Sequence, residues 1–599
     1  MRVGFKTVAT ALVFLSIPGA QASLQNPSAD ALQALADWTR PDGQKRFPSG
    51  YIPKATTYNE ELSRSHGGVA WSVDPKRKDA SSGLLNFPTF SINPASQQIS
   101  NSEGSQGASS GDGGSRRSSA GTSADGGMRT AAQATSNIMS TFSPMNPPSF
   151  PLAVRGPYLS AWLPSGSDSS VTPPNEQGNG GYLAGQYPSF WTSSYGADGE
   201  FRLGWSGFIR IDGKSYQWMG DSFGTLVAEG PNARQISAVY TATRTIFTFD
   251  ADGVKFNVTF LSPITPDDYL RQSLPLSYLH FELDKATTTG KKVQIYTEID
   301  ERWVTGHDYD YQTYPYSMKF EVVNSTSIYT VQRERPEVFA EFRQRAEWGS
   351  AVYAVKNVAG LSSRNYNNIV AQKEFLDNGN LTFDHPRVAG PDNSFAFAVD
   401  FSVPNAASDV VFAVGHLRSP YLNYVRAVPG GSSSYQEDRF GYWQAKFPNF
   451  NEAIAFFVND FEGALSNAKK FDAQVAADSK KAVGGGTVGD QYAAMTQLAV
   501  RQAFGALEIT LSIDGSGAFN SSDVMIFLKE ISSSGSTSTV DVIFPLAPLL
   551  AYAGPKMLRD ILQPIIIYAK TLYPNKVSSF CSVLSVIFEA DDCLQVGAS

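Results

Sequence analysis

The sequence predicts a large antiparallel β-sandwich followed by an all-α region, and three observations carry that reading. Short apolar/polar alternation recurs from about residue 144 to residue 415. It is clearest in Val254–Leu261, where Val254, Phe256, Val258 and Phe260 share one face and Lys255, Asn257 and Thr259 the other. Turn dipeptides punctuate the runs at Asp212-Gly213, Asp252-Gly253 and Asn378-Gly379. Near residue 451 the period changes: Ile454, Phe457, Val458, Phe461, Leu465, Ala468, Phe471 and Val475 recur at helical spacing, with Asp460, Glu462, Lys469, Lys470 and Asp472 mostly on the other side.

The chain begins with an address. Arg2 and Lys6 precede an apolar run from Thr7 to Ile17, then Pro18-Gly19 and the small-residue pattern Ala20-Gln21-Ala22. That order is a secretory signal over 1–22, so the mature protein is expected outside the cell or at the cell wall. N-x-[ST] sequons at Asn257, Asn324, Asn380 and Asn520 are then candidate N-glycan positions.

Residues 23–143 form a poorly structured extension. Within it, 94–127 is a Ser/Gly-rich linker, 18 of its 34 residues being Ser or Gly, too poor in large apolar side chains to offset the entropy of ordering. The sandwich spans 144–450. Its further strands are expected at Thr241–Phe249, Ser277–Leu283, Val293–Glu298, Ala351–Val355, Phe395–Phe401 and Val410–Gly415. A long helix capped by Asn451 occupies 451–483 and ends at Gly484-Gly485-Gly486. A second helix runs from Gln491 to about Thr510, and Val524–Glu530 and the 545–573 region continue the helical character.

Composition narrows the function. The 599 residues carry a net charge of −8 with 17% charged residues, and no basic stripe that would release counterions from a polyanion, so nucleic acid is not expected as a partner. Past the signal no apolar stretch is long enough for a membrane span. The cysteines, Cys581 and Cys593, exclude a disulfide-dense scaffold and a four-cysteine zinc site. His66, His280, His307, His385 and His416 are scattered, and neither a cofactor nor a metal is expected.

Three local motifs are read as structure. Gly107-Ala-Ser-Ser-Gly111 lies in the linker, without the strand and helix of a nucleophile elbow. Gly484-Gly-Gly-Thr-Val-Gly489 follows a helix instead of a strand and reads as a hinge. Ser466-Asn-Ala-Lys469 falls on the outer face of the long helix. The stronger candidates are polar residues in apolar surroundings: Asp490, Gln491, Glu508, Asp514, Asp523, Lys529, Glu530 and above all Asp541, an acid inside Thr539-Val-Asp-Val-Ile-Phe-Pro545, where helix capping or pairing with Lys529 is the structural alternative. A catalytic set of Asp541, Glu530, Lys529 and Asp514 would supply acid, base and cation.

Longer motifs carry a resemblance. Phe150-Pro-Leu-Ala-Val-Arg-Gly-Pro-Tyr-Leu-Ser-Ala-Trp-Leu-Pro164, Trp205–Gly220, Leu261–Tyr278, Gly489-Asp-Gln-Tyr-Ala493, Val500-Arg-Gln-Ala503, Phe527–Ser533 and Thr539–Pro545 resemble fungal secreted glutaminases of the glutaminase A type over about residues 144–577. The resemblance implies a sandwich followed by a six-hairpin α/α toroid, and hydrolysis of L-glutamine to L-glutamate and ammonia. It assigns no catalytic residues. From Gly484 to the end the chain is too short for twelve helices of about 11–12 residues with their loops. A partial toroid over 484–577 and an atypical tail over 578–599 are therefore expected, with an altered or truncated C-terminus and doubtful activity. The alternatives are a non-catalytic protein binding carbohydrate or cell wall through Trp205 and Trp218, and a glycoside hydrolase-like enzyme by analogy with the toroid.

Overall fold

Alternation in the sequence becomes two stacked sheets. The computed structural model describes residues 139–165, 178–191, 202–220, 231–304, 315–386, 393–427, 434–531 and 535–572, all within one compact unit. The expected signal, the linker, His66, His307, both cysteines and the tail lie outside the described residues.

The larger sheet has nine strands, in the order Thr141–Ser143, Arg234–Tyr240, Arg244–Ala251, Val254–Leu261, Leu276–Leu283, Asp409–Leu417, Ser350–Lys356, Thr326–Arg333 and Tyr316–Val323. The smaller has five: Leu361–Asn367, Asn393–Asp400, Val293–Asp300, Trp205–Ile211 and Lys214–Met219. Every pairing is antiparallel except that of the first nine-sheet strand. Asp212-Gly213 and Asp252-Gly253 make two-residue hairpins with positive φ at both positions, the turn whose twist matches that of the strands. The core between the sheets is aromatic: Phe247, Phe249, Phe256, Phe260, Phe397 and Phe412 are all buried.

Helices cover both outer faces. The helix Phe450–Asn459 lays Ile454, Phe457 and Val458 on the larger sheet, where Tyr278 stacks on Phe457 at 3.9 Å. The helix Asn368–Asn378 covers the smaller sheet, burying Phe375 against Phe208 and Tyr296. Periodicity did not reveal this second helix because Ile369 and Val370 are exposed and blur its apolar face. Asn378-Gly379, expected as a turn between strands, is its C-terminal cap, with Gly379 at φ +78°.

The helical half departs from expectation in several ways, and one is that the second helix is Gly486–Phe504, with 507–510 in a strand. The long helix is two, Phe450–Asn459 and Phe461–Ala482, broken at Asp460, whose carboxylate takes Arg271 at 2.7 and 2.9 Å. Its cap is Asn449 instead of Asn451. Asp472, expected outside, is buried: it accepts from Thr241, Thr243 and Arg244 at 2.8–2.9 Å and ties the helix to a sandwich turn. Finally, Val524–Glu530 is not helical. Leu507–Ile513 and Phe519–Leu528 form a hairpin between the helix Gly486–Phe504 and the helices Val540–Ala553 and Pro555–Leu572. The hairpin extends Leu422–Ala427 and Ser434–Gly441 into a four-stranded sheet, so strands from both sides of residue 450 share one ladder. Leu507, Ile509 and Leu511 alternate with Glu508, Thr510 and Ser512, a strand period that was legible.

Candidate functional site

Where that hairpin meets the sandwich, a set of charged side chains comes together, Arg418 and Lys529 buried and Glu508 half-buried. Tyr158 occupies the turn between Ser149–Gly156 and Leu159–Pro164. Glu341 comes from the short strand Glu341–Phe342, Arg418 from just past Asp409–Leu417, Glu508 from Leu507–Ile513, and Lys529 from the residue after Phe519–Leu528. Lys529 Nζ donates to both oxygens of Glu341 at 2.8 Å. The Tyr158 hydroxyl donates to the same carboxylate. Arg418 pairs with Glu508 and donates to the Tyr421 carbonyl at 2.8 Å. Two cations flank the Tyr158 ring, Arg418 at 3.8 Å and Lys529 at 5.1 Å from its centroid.

Two acids thus face two bases, and burial sets their chemistry. Burial pushes the Tyr158 phenol well above its usual range, against the pull of Arg418, so it stays a hydrogen-bond donor. Burial also raises the Glu508 carboxyl, opposed by Arg418 and Lys529. Glu341 is the reachable acid, its side chain 25% exposed against 7% for Lys529.

A small cleft opens beside the cluster, with room for about one water molecule. Tyr158, Ser160, Phe190, Trp303, Arg345 and His416 are among its walls. His416 is buried, and its Nδ1 has no hydrogen-bond partner. Burial, then the charges of Arg418 and Arg345, push its pKa down to about 3, so the ring is neutral. Gly349 stands against it at φ +97°, where a Cβ would lie 2.5 Å from Arg418 Cγ and 2.7 Å from the Leu417 carbonyl. Only glycine fits there.

Of the residues singled out from sequence, Lys529 and Glu508 enter the cluster and Glu530 follows Lys529, half-buried. Asp514 is exposed in the hairpin turn, where its carboxylate accepts from the backbone of Ser516 and Ala518, and those bonds hold it low. Asp541 is exposed in the first turn of Val540–Ala553, and among the described residues no bond joins it to the cluster. Tyr158, Glu341, Arg418 and His416 were not singled out. Only Tyr158 left a signal, inside the Gly156-Pro-Tyr-Leu stretch.

Trp205 and Trp218 are fully buried in the core, which removes them as a sugar-stacking surface. Ser466 and Lys469 are both exposed on their helix. The glycines from Gly484 form a turn between two helices, with no strand for a dinucleotide site. Asn324 and Asn380 are exposed, while Asn257 is half-buried with its amide oxygen bonded to Thr248. Among the described residues there is no cluster of three metal-ligating side chains, and no helix long and apolar enough to cross a membrane.

A β-rich domain joined to a helical region, with an acid–base cluster at the junction, is the class of protein that fold and site define. The chain resembles the fungal glutaminase A family. Residues 489–579 match the glutaminase A six helical-hairpin domain, and residues 243–478 match a domain of unknown function, DUF5127. Glutaminase A of Aspergillus oryzae is 34% identical over 442 residues, 73% of this chain and 58% of that protein. A protein of Arthroderma benhamiae described as a probable glutaminase is 27% identical over 464 residues, 73% of this chain and 49% of that protein. The chain therefore spans about half the length of these curated relatives.

Proposed function

We propose that this chain is a secreted amidohydrolase that converts L-glutamine to L-glutamate and ammonia. The observation that carries the reading is where the cluster lies: Glu341 falls in one matched segment and Lys529 in the other, bonded across the junction. Amide hydrolysis needs a base for water, donors for the tetrahedral oxyanion and a proton for the departing nitrogen. In this reading Glu341, paired with Lys529, takes a proton from the attacking water and passes it to the departing amide nitrogen, which leaves as ammonia. Tyr158 and Lys529 donate to the oxyanion. Arg418 and Glu508 act on Tyr158 as positioning residues. Export is supported by the basic start, apolar run and Ala20-Gln21-Ala22, and N-terminal sequencing of secreted material should begin at Ser23.

Ammonia release by the full chain tests the activity. Glu341→Gln should lower kcat/KM by about a hundredfold or more with the fold intact. A folded chain that releases no ammonia from glutamine ends this reading, and cleavage of a glycoside instead would favour the glycosidase alternative.

A further inference from the structure

The fold treats its four Asn-x-Ser/Thr sequons differently. Asn257 lies within Val254–Leu261, a strand paired on both sides, and its amide oxygen accepts from Thr248 at 2.9 Å. A branched sugar on this half-buried side chain would press on the neighbouring strands. Asn520 is half-buried too, and its amide oxygen accepts from the Ser522 backbone at 3.1 Å. Asn324 is exposed in a hairpin turn, but its threonine, Thr326, is fully buried. Asn380 and its threonine, Thr382, are both exposed, and among the described residues nothing bonds the Asn380 side chain.

The segment that carries Asn380 is pinned on both sides. It leaves the helix Asn368–Asn378 through the cap Gly379. Leu381 is buried, and its N–H donates to the Ser362 hydroxyl at 3.0 Å. Thr382 donates to Glu374 from its backbone at 2.8 Å and from its hydroxyl at 2.5 Å. Next stands Phe383, 70% exposed, the most exposed aromatic side chain among the described residues. Its ring meets Phe320 at 5.7 Å and His385 at 4.6 Å, with interplanar angles of 82° and 85°. Two near-perpendicular contacts fix the ring while most of its apolar surface stays in water. A single exposed aromatic is ordinary on a protein surface. This one stands three residues from an exposed sequon.

Three residues of extended chain span at most about 11 Å, within reach of the first sugars of a glycan on Asn380. The chemistries match. One face of an N-acetylglucosamine ring carries C–H groups, and it can lie on an aromatic ring while the hydroxyls stay hydrated, which removes apolar surface from water. We propose that Asn380 carries an N-glycan whose first sugars cover Phe383, and that Asn257 carries none. The proposal rests on the export reading above, because an N-glycan is added to a chain that enters the secretory route.

The test is expression of the full chain in a fungal host, once with its own residues 1–22 and once with a borrowed secretion leader in their place. Enzymatic release of N-glycans in heavy-oxygen water turns each occupied Asn into a labelled Asp, which peptide mass spectrometry reads. Asn380 should be labelled and Asn257 should not. A secreted chain with unlabelled Asn380, or with labelled Asn257, overturns the proposal and leaves export standing. Labelled Asn380 with the borrowed leader alone defeats the export reading and leaves this proposal standing. Thermal unfolding of the secreted glycoprotein tests the contact. Asn380→Gln should lower Tm by about 2 °C, and Phe383→Ala should remove that difference, so that the double variant unfolds where Phe383→Ala alone does. An equal fall in Tm in both backgrounds, or none in either, overturns the cover over Phe383.

Discussion

Two charge networks share the strand Leu507–Ile513, and they differ in what they leave unpaired. On one side Thr510 meets Arg439, which is fully buried and spends its donors on Thr510, Glu437 and Asp523, with charge contacts at 2.7–2.8 Å. Arg426 completes this network with paired bonds to Asp523 at 2.8 and 3.0 Å. Burial pushes Asp523 up, but the two arginines outweigh it and hold the carboxyl down to about 2. Two residues along, Glu508 belongs to the junction cluster, which borders a pocket where His416 Nδ1 has no partner. A closed network fixes sheet geometry, and an open one beside a cleft leaves room for about one water. Buried charge by itself does not mark function. The junction network differs in bordering a buried group without a partner.

The largest expected effect separates the two networks. Arg439→Met leaves the half-buried Asp523 and Glu437 with Arg426 as their remaining cation and should cost about 3 kcal/mol of stability. Denaturant unfolding measures that loss, while ammonia release per folded molecule should stay at the wild-type level. Lys529→Met should show the opposite balance, with about a hundredfold loss of kcat/KM and a smaller loss of stability. Equal effects from both variants would erase the distinction.

A third buried charge sharpens the comparison through pH. Glu298 lies in the smaller sheet, where burial pushes its carboxyl from the usual 4.5 up to about 7 against the donors Tyr296, Gln372 and Ser394. Among the described residues no cation bonds it, so it should prefer its proton. The folded state therefore binds this proton more tightly than the unfolded chain does. Its contribution is full below about pH 4.5 and is lost as pH rises through about 7. Between those limits wild type should lose about 3 kcal/mol relative to Glu298→Gln. A difference that stays flat with pH would mean that Glu298 is ionised in the fold.

The smallest effect is expected at Asp541. It is exposed in a first helical turn, so Asp541→Asn should change stability by less than about 1 kcal/mol through the helix dipole. Ammonia release should not change. A large loss of turnover would return Asp541 to the catalytic set and move the site away from the junction.

The difference in legibility follows the range of each interaction. Val254–Leu261 and the Asp252-Gly253 turn could be read directly, because side-chain alternation and positive φ are properties of a few consecutive residues. The hairpin at 507–528 carried the same kind of signal. The helical period expected up to about Thr510 and again over Val524–Glu530 hides it, because its second strand ends in the unbroken apolar run from Val524 to Leu528, which short-range period alone cannot assign. Asp541 looked buried because its neighbours are apolar, yet the helix turns it outward while Ile543 and Leu546 face the core.

By itself the sequence determined the sandwich, most of its strands, the helical period after residue 450, and the odd placement of Lys529 among apolar neighbours. Tertiary structure alone decided what Lys529 meets. Its carboxylate partner, Glu341, is 188 residues away, on a two-residue strand with no pattern of its own. Backbone periodicity repeats within a turn or a strand and can be read from neighbours. Which charges become partners depends on how sheets stack and where a hairpin docks, and that is set only when the chain closes on itself.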